Sequence, residues 1–334
     1  MTDQHVPAAE PTVGEWGEGT VLSEILTALG GSNALIGPGD DAAVIAAPDG
    51  RVVATTDTLV HGPDFRLAWT SGYDLGWKAA AVNLADVAAM GARPTALLVA
   101  LAMPDETRVS FVTDIARGLR DACDTLAPGC AVEGGDLTVS ATLTIAVTAL
   151  GSLDGTHPVT RGGAQPGDVV AVCGDLGSAG RGLALLFERF RDAAGRPIPV
   201  DEATLTSEQR DELRAQLRPA PPVTAGVVAA RAGATAMMDV SDGLVLDARR
   251  MAAASGVTIA VSTSSLGTDP SSALSGGEDH ALLATFAGDV DLPEGFRAIG
   301  RVIPRSGEAV LVDDAPFDER GGWDPYRDWD ATAG

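Results

Sequence analysis

The sequence predicts an α+β protein of two units joined near residues 151 to 160. Three observations carry that reading. At 334 residues, 45% hydrophobic and 21% charged, the chain is long enough for two cores. Strand and helix patterns fill both halves, and between them His157 to Gly167 is rich in Pro, Gly and turn residues without apolar periodicity. Short acidic motifs recur at the ends of expected strands on both sides of that break. The expected division is a disordered leader over 1–15, an N-terminal unit over 16–152 and a C-terminal unit over 153–334.

Each element follows from local pattern. Ser23 to Leu29 carries Ile25, Leu26 and Leu29 at helical spacing and is stopped by Gly30-Gly31. Ala42 to Ala47 and Arg51 to Thr56 are β-prone runs around Pro48-Asp49-Gly50, which predicts a hairpin with Asp41 and Asp57 at one edge. Asp74 to Ala89 has few helix breakers, and Asn83 and Asp86, three apart, share one helical face. Thr95 to Ala102 reads as a buried strand, and Pro104-Asp105 as the opening of a helix striped by Phe111, Val112, Ile115, Leu119, Cys123 and Leu126. A strand through Val132 then delivers Gly134-Gly135-Asp136, and Thr142 to Leu150 is a further strand.

In the second half Val169 to Val172 is a strand leading through Cys173 to Gly180 into the helix Leu183 to Phe190. That Gly-rich turn matches neither a dinucleotide fingerprint nor a P-loop, and a plain turn is the better reading. Residues 191–218 are charged and expected at the periphery. Val223 to Ala232 is helical, Thr235 to Val240 a strand, and Ser241 or Asp242 is expected to cap the helix Leu244 to Ala254. Val257 to Val261, Ala281 to Phe286 and Ala309 to Val312 are strands, with Ser275 to Asp279 a loop.

Charge and cysteine usage narrow the function. A formal charge of -23, from 46 acidic and 23 basic residues, leaves no basic stripe for nucleic acid. Cys123, Cys130 and Cys173 form neither CxxC spacing nor an even set, which points to a reducing cytoplasm. No signal-like start or membrane-length apolar run is visible, so export and membrane insertion are not expected.

The acidic motifs carry the chemistry. Gly39-Asp40-Asp41, Thr55-Thr56-Asp57, Asn83 to Asp86, Gly134-Gly135-Asp136 and Asp239 to Gly243 each join a carboxylate to turn residues, an amide or a small hydroxyl. Such oxygen donors suit Mg²⁺, which keeps several waters while bridging a few carboxylates to phosphates. A single Asp is more often a cap or turn former. Five at strand ends and on helix faces point to a metal-dependent phosphate site. No Walker A loop, kinase HRD or DFG motif, or Ser/His/Asp arrangement competes.

Taken in order, Gly39 to Ala43, Thr56 to Val60, Lys78 to Ala92, Gly134 to Asp136, Asp239 to Leu244 and Leu274 to Asp279 resemble the thiamine-monophosphate kinase family, from about residue 15 onward. The resemblance implies the two-domain aminoimidazole ribonucleotide synthetase-like fold, with N-terminal sheets pairing across a homodimer and a C-terminal α/β sandwich. It implies ATP-dependent phosphorylation of thiamine monophosphate to thiamine diphosphate by direct attack on the γ-phosphate, with ATP as co-substrate. Several Mg²⁺ ions are implied at Asp41, Thr55, Thr56, Asp57, Asp86, Asp136, Asp239 and Asp242. Gly135, Asp136, Arg161 and Ser241 carry over as ATP contacts, and Asp64, Glu278 and Trp323 as substrate contacts. Two departures bear on the substrate pocket: Asp64 stands where many members have His, and the segment from Val261 to Leu274 is short.

Two alternatives differ in chemistry. One is a binding protein for nucleotide or thiamine phosphate without turnover. The other is a same-fold ATP-dependent enzyme with another acceptor, disfavoured because selenophosphate synthetase and the hydrogenase-maturation dehydratase use terminal reactive cysteines and this chain has none.

Overall fold

The computed structural model describes residues 10–35, 37, 43 and 45–322. Helices α1 (Val13–Trp16) and α2 (Glu18–Leu29) open the chain. Thr12 caps α1 in a reciprocal box with Glu15, so the last residues of the segment expected as a disordered leader are helical. Strand β1 (Val53–Val60), helix α3 (Gly72–Ala89), β2 (Arg93–Met103), α4 (Val109–Leu126), β3 (Ala131–Val139) and β4 (Thr144–Ser152) follow. The four strands form one sheet in the order β1-β4-β2-β3, with β2 and β3 parallel.

The expected hairpin is absent among the described residues. Residues 43 and 45–47 carry no strand, and β1 pairs with β4 instead, Asp57 standing opposite Val147. Ladder bonds and side-chain burial against a third element outweigh a local turn signal. β4 alternates strictly, burying Ile145, Val147 and Ala149 against α3 and α4. The other face, with Thr56, Thr58 and Thr148, is left largely open by the described residues.

β5 (Val169–Cys173), α5 (Ser178–Arg189), α6 (Ser207–Leu217), α7 (Val223–Arg231), β6 (Ala236–Val240), α8 (Leu244–Ser255), β7 (Val257–Val261), α9 (Pro270–Ser275), β8 (Ala281–Phe286), β9 (Arg297–Pro304), β10 (Val310–Val312) and β11 (Ala315–Pro316) complete the fold. Their sheet runs β11-β10-β7-β9-β5-β8-β6. Strands β5, β7 and β8 are buried on both faces and read as near-continuous apolar runs, whereas β9 between β7 and β5 is partly exposed. Alternate residues Val170, Val172, Met238 and Leu283 join the core under α8, whereas Ala171, Met237, Leu282 and Phe286 join the core shared with α3. Asp239 therefore shares the α3 side with Met237.

Helix α3 is the strut between the two sheets. Ser71 and Asp74 form its capping box, and most of its small, helix-favouring side chains are buried. It crosses α4 closely: a Cβ on Gly76 would lie 2.0 Å from the Ile115 carbonyl oxygen, and one on Gly118 2.1 Å from that of Tyr73. Backbone, not a pliable side chain, meets the added atom. Gly76→Ala is therefore expected to lower stability by about 2–3 kcal/mol, despite the better helix propensity of Ala. A melting temperature unchanged from the native chain would contradict the close crossing.

The charged segment 191–218 is less peripheral than its composition suggests. Leu205 and Leu213 pack with Trp69, Leu186 and Phe190 in a third core, and Trp69 Nε1 donates to Phe190 O at 3.0 Å. On α6 only Leu213 and Gln216 are buried, and with Leu205 from the turn before it they suffice to dock an otherwise polar helix. No helix among the described residues is long and apolar enough to cross a membrane.

Candidate active site

Three elements bring acids together in the cleft beside α3. On β1, Thr55 Oγ1 donates to Asp86 Oδ2 at 2.7 Å, and the Asp57 amide donates to Asn83 Oδ1 at 3.1 Å. β1 is an edge strand, so the Asp57 N–H has no ladder partner and the amide of Asn83 supplies one. Asn83 is itself fixed by donating from Nδ2 to Ala79 O at 2.9 Å. The three-residue spacing read from the sequence thus places Asn83 on the backbone and Asp86 on the side chains of one strand.

Asp239 approaches the same group from β6. Loss of solvent raises the Asp86 carboxyl to about 7, with the charges of Asp239 and Asp57 adding to the effect. The Asp57 carboxyl is raised as well, by desolvation first, with the His280 charge opposing and Asp239 reinforcing. Among the described residues no three His, Cys, Asp or Glu side chains converge tightly enough to hold an ion by themselves. Such a loose set fits Mg²⁺, which takes much of its octahedral shell from water and phosphate oxygens.

His280 is the residue the sequence pattern missed. It is 6% exposed, and its Nδ1 lies 3.0 Å from Asp239 Oδ2. Burial would depress its imidazolium, yet the bond to Asp239 and the charges of Asp239 and Glu278 raise it overall. Only the antiparallel pairing of β6 with β8, Val240 opposite Ala281, brings the two side chains together. No local signal in the sequence marks it.

Beside this pair lies a cavity of about 530 Å³, lined by Asp64, Trp69, Lys78, Phe187, Ser241 and Glu278 among others. Ser241 and Glu278 each sit two residues from the Asp239–His280 pair. Lys78, 4% exposed on α3, forms an ion pair with Glu278. Gln216, oriented so that its amide oxygen faces Lys78 Nζ at 3.1 Å, backs that contact. Glu278 is lowered overall: burial opposes, and the Lys78 and His280 charges prevail. Asp64 Oδ2 accepts from Val60 N at 2.7 Å, and desolvation holds its carboxyl above the usual range.

Other expected site residues stand apart in the single chain. Thr56 points to the largely open face, donating to Val147 O at 3.0 Å, because strand period sets it opposite Thr55 and Asp57. Asp242 is held by Arg250 at 2.6 Å, and α8 starts after Gly243 with no side-chain cap. The expected cap by Ser241 or Asp242 is not made; instead buried Asp247, inside the first turns of α8, accepts through Oδ2 from Asp242 N ahead of the helix at 3.0 Å, and its carboxyl is pushed up to about 6, chiefly by burial. Gly135 and Asp136 lie on β3, the far edge strand, about 14 Å from β1 by strand spacing. Gly135 is required there, since a Cβ would meet Val99 O at 2.0 Å.

Arg161 is exposed and accepts through its carbonyl from Ser255 Oγ at the C-terminal end of α8. Ser241 lies at the other end of that twelve-residue helix, about 18 Å away. Asp41 and Trp323 fall outside the described residues. In the turn before α5 the backbone amides of Gly177 and Ala179 already donate to the Asp279 carboxylate at 2.6 and 2.8 Å, so that turn holds no free anion cradle.

An α+β chain with this pair of sheets and an acid cleft belongs to a recognisable class. The pattern of the AIR synthase related protein, N-terminal domain, matches residues 39–153. The thiamine-monophosphate kinase of Mycobacterium tuberculosis is 40% identical over 347 aligned residues, covering 98% of each chain, and that of Corynebacterium glutamicum 42% identical over 94% of each. The crystal structure of thiamine monophosphate kinase from Aquifex aeolicus superimposes with a TM-score of 0.70 at 30% identity, covering 92% of this chain and all of that one. A structure described as AaThiL complexed with AMPPCP and TMP superimposes at 0.71 with 31% identity, over 94% and 99%. The chain belongs to the thiamine-monophosphate kinase family.

Proposed function

We propose that the cleft phosphorylates thiamine monophosphate to thiamine diphosphate, an oxygen of the substrate phosphate attacking the γ-phosphate of ATP directly. The observation that carries this reading is the meeting of Asp57, Asp86 and Asp239 from three separate elements, next to a cavity walled by Asp64 and Glu278. Asp57, Asp86 and Asp239 would hold magnesium, whose charge neutralises the phosphates when bound. Thr55 orients Asp86, and Asn83 orients the backbone at Asp57. Asp64 and Glu278 offer negative charge to a cationic thiazolium, and Trp69 and Phe187 offer aromatic walls to a flat ring.

The remaining acids suit a homodimer. Asp136 lies on the opposite edge of the first sheet from Asp57, and the described residues leave one face of that sheet largely open. Pairing of two such sheets would carry Asp136 and Gly135 of one copy to the acids of the other. A cytoplasmic location, without nucleic-acid or membrane partners, accords with the charge of -23 and the three free cysteines.

Purified protein with ATP, Mg²⁺ and thiamine monophosphate should release ADP and thiamine diphosphate; binding of both ligands without product would favour the non-catalytic binding protein. Mixing the inactive variants Asp86→Asn and Asp136→Asn should restore about a quarter of native activity, since half the dimers are mixed and each mixed dimer has one intact site. Failure of the mixture, with subunit exchange verified, would place Asp136 in the same subunit's site or outside it.

A further inference from the structure

We infer that His280 is a positioning residue for Asp239, fixing that carboxylate for the divalent cation; the inference rests on the reading that Asp239 belongs to a cation site. The two residues are 7% and 6% exposed, and the Nδ1–H of the ring is assigned as donor because the carboxylate facing it at 3.0 Å can only accept. One carboxylate oxygen is taken, and the other is left for a cation. A ligating carboxylate held this way loses less freedom on binding, which is how outer-shell partners tune metal affinity.

The backbone around His280 is built to keep that ring in place. His280 has φ 54° and Glu278 φ 73°, left-handed conformations that only their surroundings can hold in residues with side chains. Glu278 N donates to Ser241 O at 2.8 Å and His280 N to Val240 O at 3.1 Å, tying the loop to the end of β6 immediately after Asp239. Asp279 ties it to the start of α5, and Glu278 to Lys78 on α3. The ring is thus aimed by its own backbone at one oxygen of one acid. Asn would reproduce both features, because its side-chain N–H can reach nearly the Nδ1 position and it tolerates the left-handed region. Gln cannot place its donor there without moving the loop.

Full-length native protein, His280→Asn and His280→Gln are compared for Mn²⁺ affinity by calorimetry, without nucleotide, with melting temperatures in chelator to verify folding. The expected result is a loss of at least about tenfold for His280→Gln and a change under about threefold for His280→Asn. Equal affinity in His280→Gln and native protein, or equal weakness in both variants, overturns the inference. Should His280→Gln not fold, the native protein still decides: the downfield Nδ1–H proton resonance, identified by its absence in His280→Asn, shifts on adding Mg²⁺, and a resonance unmoved at saturation overturns the inference. Native protein that binds no Mn²⁺ at all removes the cation reading itself, and His280 with it.

Discussion

Asp86→Asn is expected to lower turnover at least a hundredfold while leaving the cation-free protein as stable as the native chain or more so. The carboxyl it removes is pushed up to about 7 by desolvation and by its acidic neighbours Asp239 and Asp57, so the folded state holds it at a disadvantage when ionised. Between 3.8 and about 7 the folded protein binds more protons at this group than the unfolded chain does. Its contribution is therefore fully present below 3.8 and lost as pH rises through about 7. Relief in Asp86→Asn should be on the order of 1–2 kcal/mol at pH 8, allowing for screening in a partly open site.

Turnover moves the other way because phosphoryl transfer depends on neutralising charge that builds over the phosphates. A hundredfold loss corresponds to about 2.7 kcal/mol of barrier, modest for a carboxylate at such a site. Melting curves at pH 5 and pH 8 in chelator test the first half and steady-state rates the second. In native protein the melting temperature should fall from pH 5 to pH 8, more steeply than in Asp86→Asn. Activity within tenfold of native would remove Asp86 from the site.

Glu278→Gln should be the more destabilising way to break the Lys78–Glu278 pair, by about 2–3 kcal/mol, with Lys78→Met costing less. The asymmetry comes from burial. The Lys78 side chain is 6% exposed and would lose its ion-pair partner, keeping only the Asp64 charge across the cavity, whereas that of Glu278 is 40% exposed, to the cavity, and can be hydrated there. In the double variant no buried charge is left, so part of the loss should return. Glu278 is held below its ordinary value, so the stability it adds is present above 4.5 and lost as pH falls through the folded value. Thermal unfolding of the three variants at pH 7 separates the outcomes; a larger loss in Lys78→Met than in Glu278→Gln would show that Glu278, not Lys78, is the desolvated partner.

The helix that organises the cleft could be read in advance because its signals are local. Asn83 and Asp86 share a face by the 3.6-residue period, and Asp74 to Ala89 holds few helix breakers. The β1 motif was equally plain as a strand, but not its partner. Pro48-Asp49-Gly50 suggested a hairpin, whereas the edge of β4, ninety residues later, offered a full ladder and an apolar face. A turn contributes a few contacts, and a ladder contributes one pairing per residue.

The charged segment around α6 misled for a related reason. Composition reports the solvated majority of a helix, and Leu205, Leu213 and Gln216 decide where it docks. Capping of α8 shows the converse, since Ser241 and Asp242 are good caps by type, but the chain enters the helix through Gly243 and the Asp242 carboxylate is held by Arg250 instead.

By itself the amino-acid order determined the two-unit α+β character, the acids and their family, because residue type, period and ordered motifs survive without coordinates. Only the tertiary structure decided which acids meet. It joined His280 to Asp239 across two antiparallel strands, turned the Thr55 face of β1 rather than the Thr56 face toward Asp86 on α3, and set Asp136 on the far edge of its sheet. Those choices depend on strand pairing between distant segments, where a shift of one residue exchanges the faces of a sheet and no local preference records the outcome.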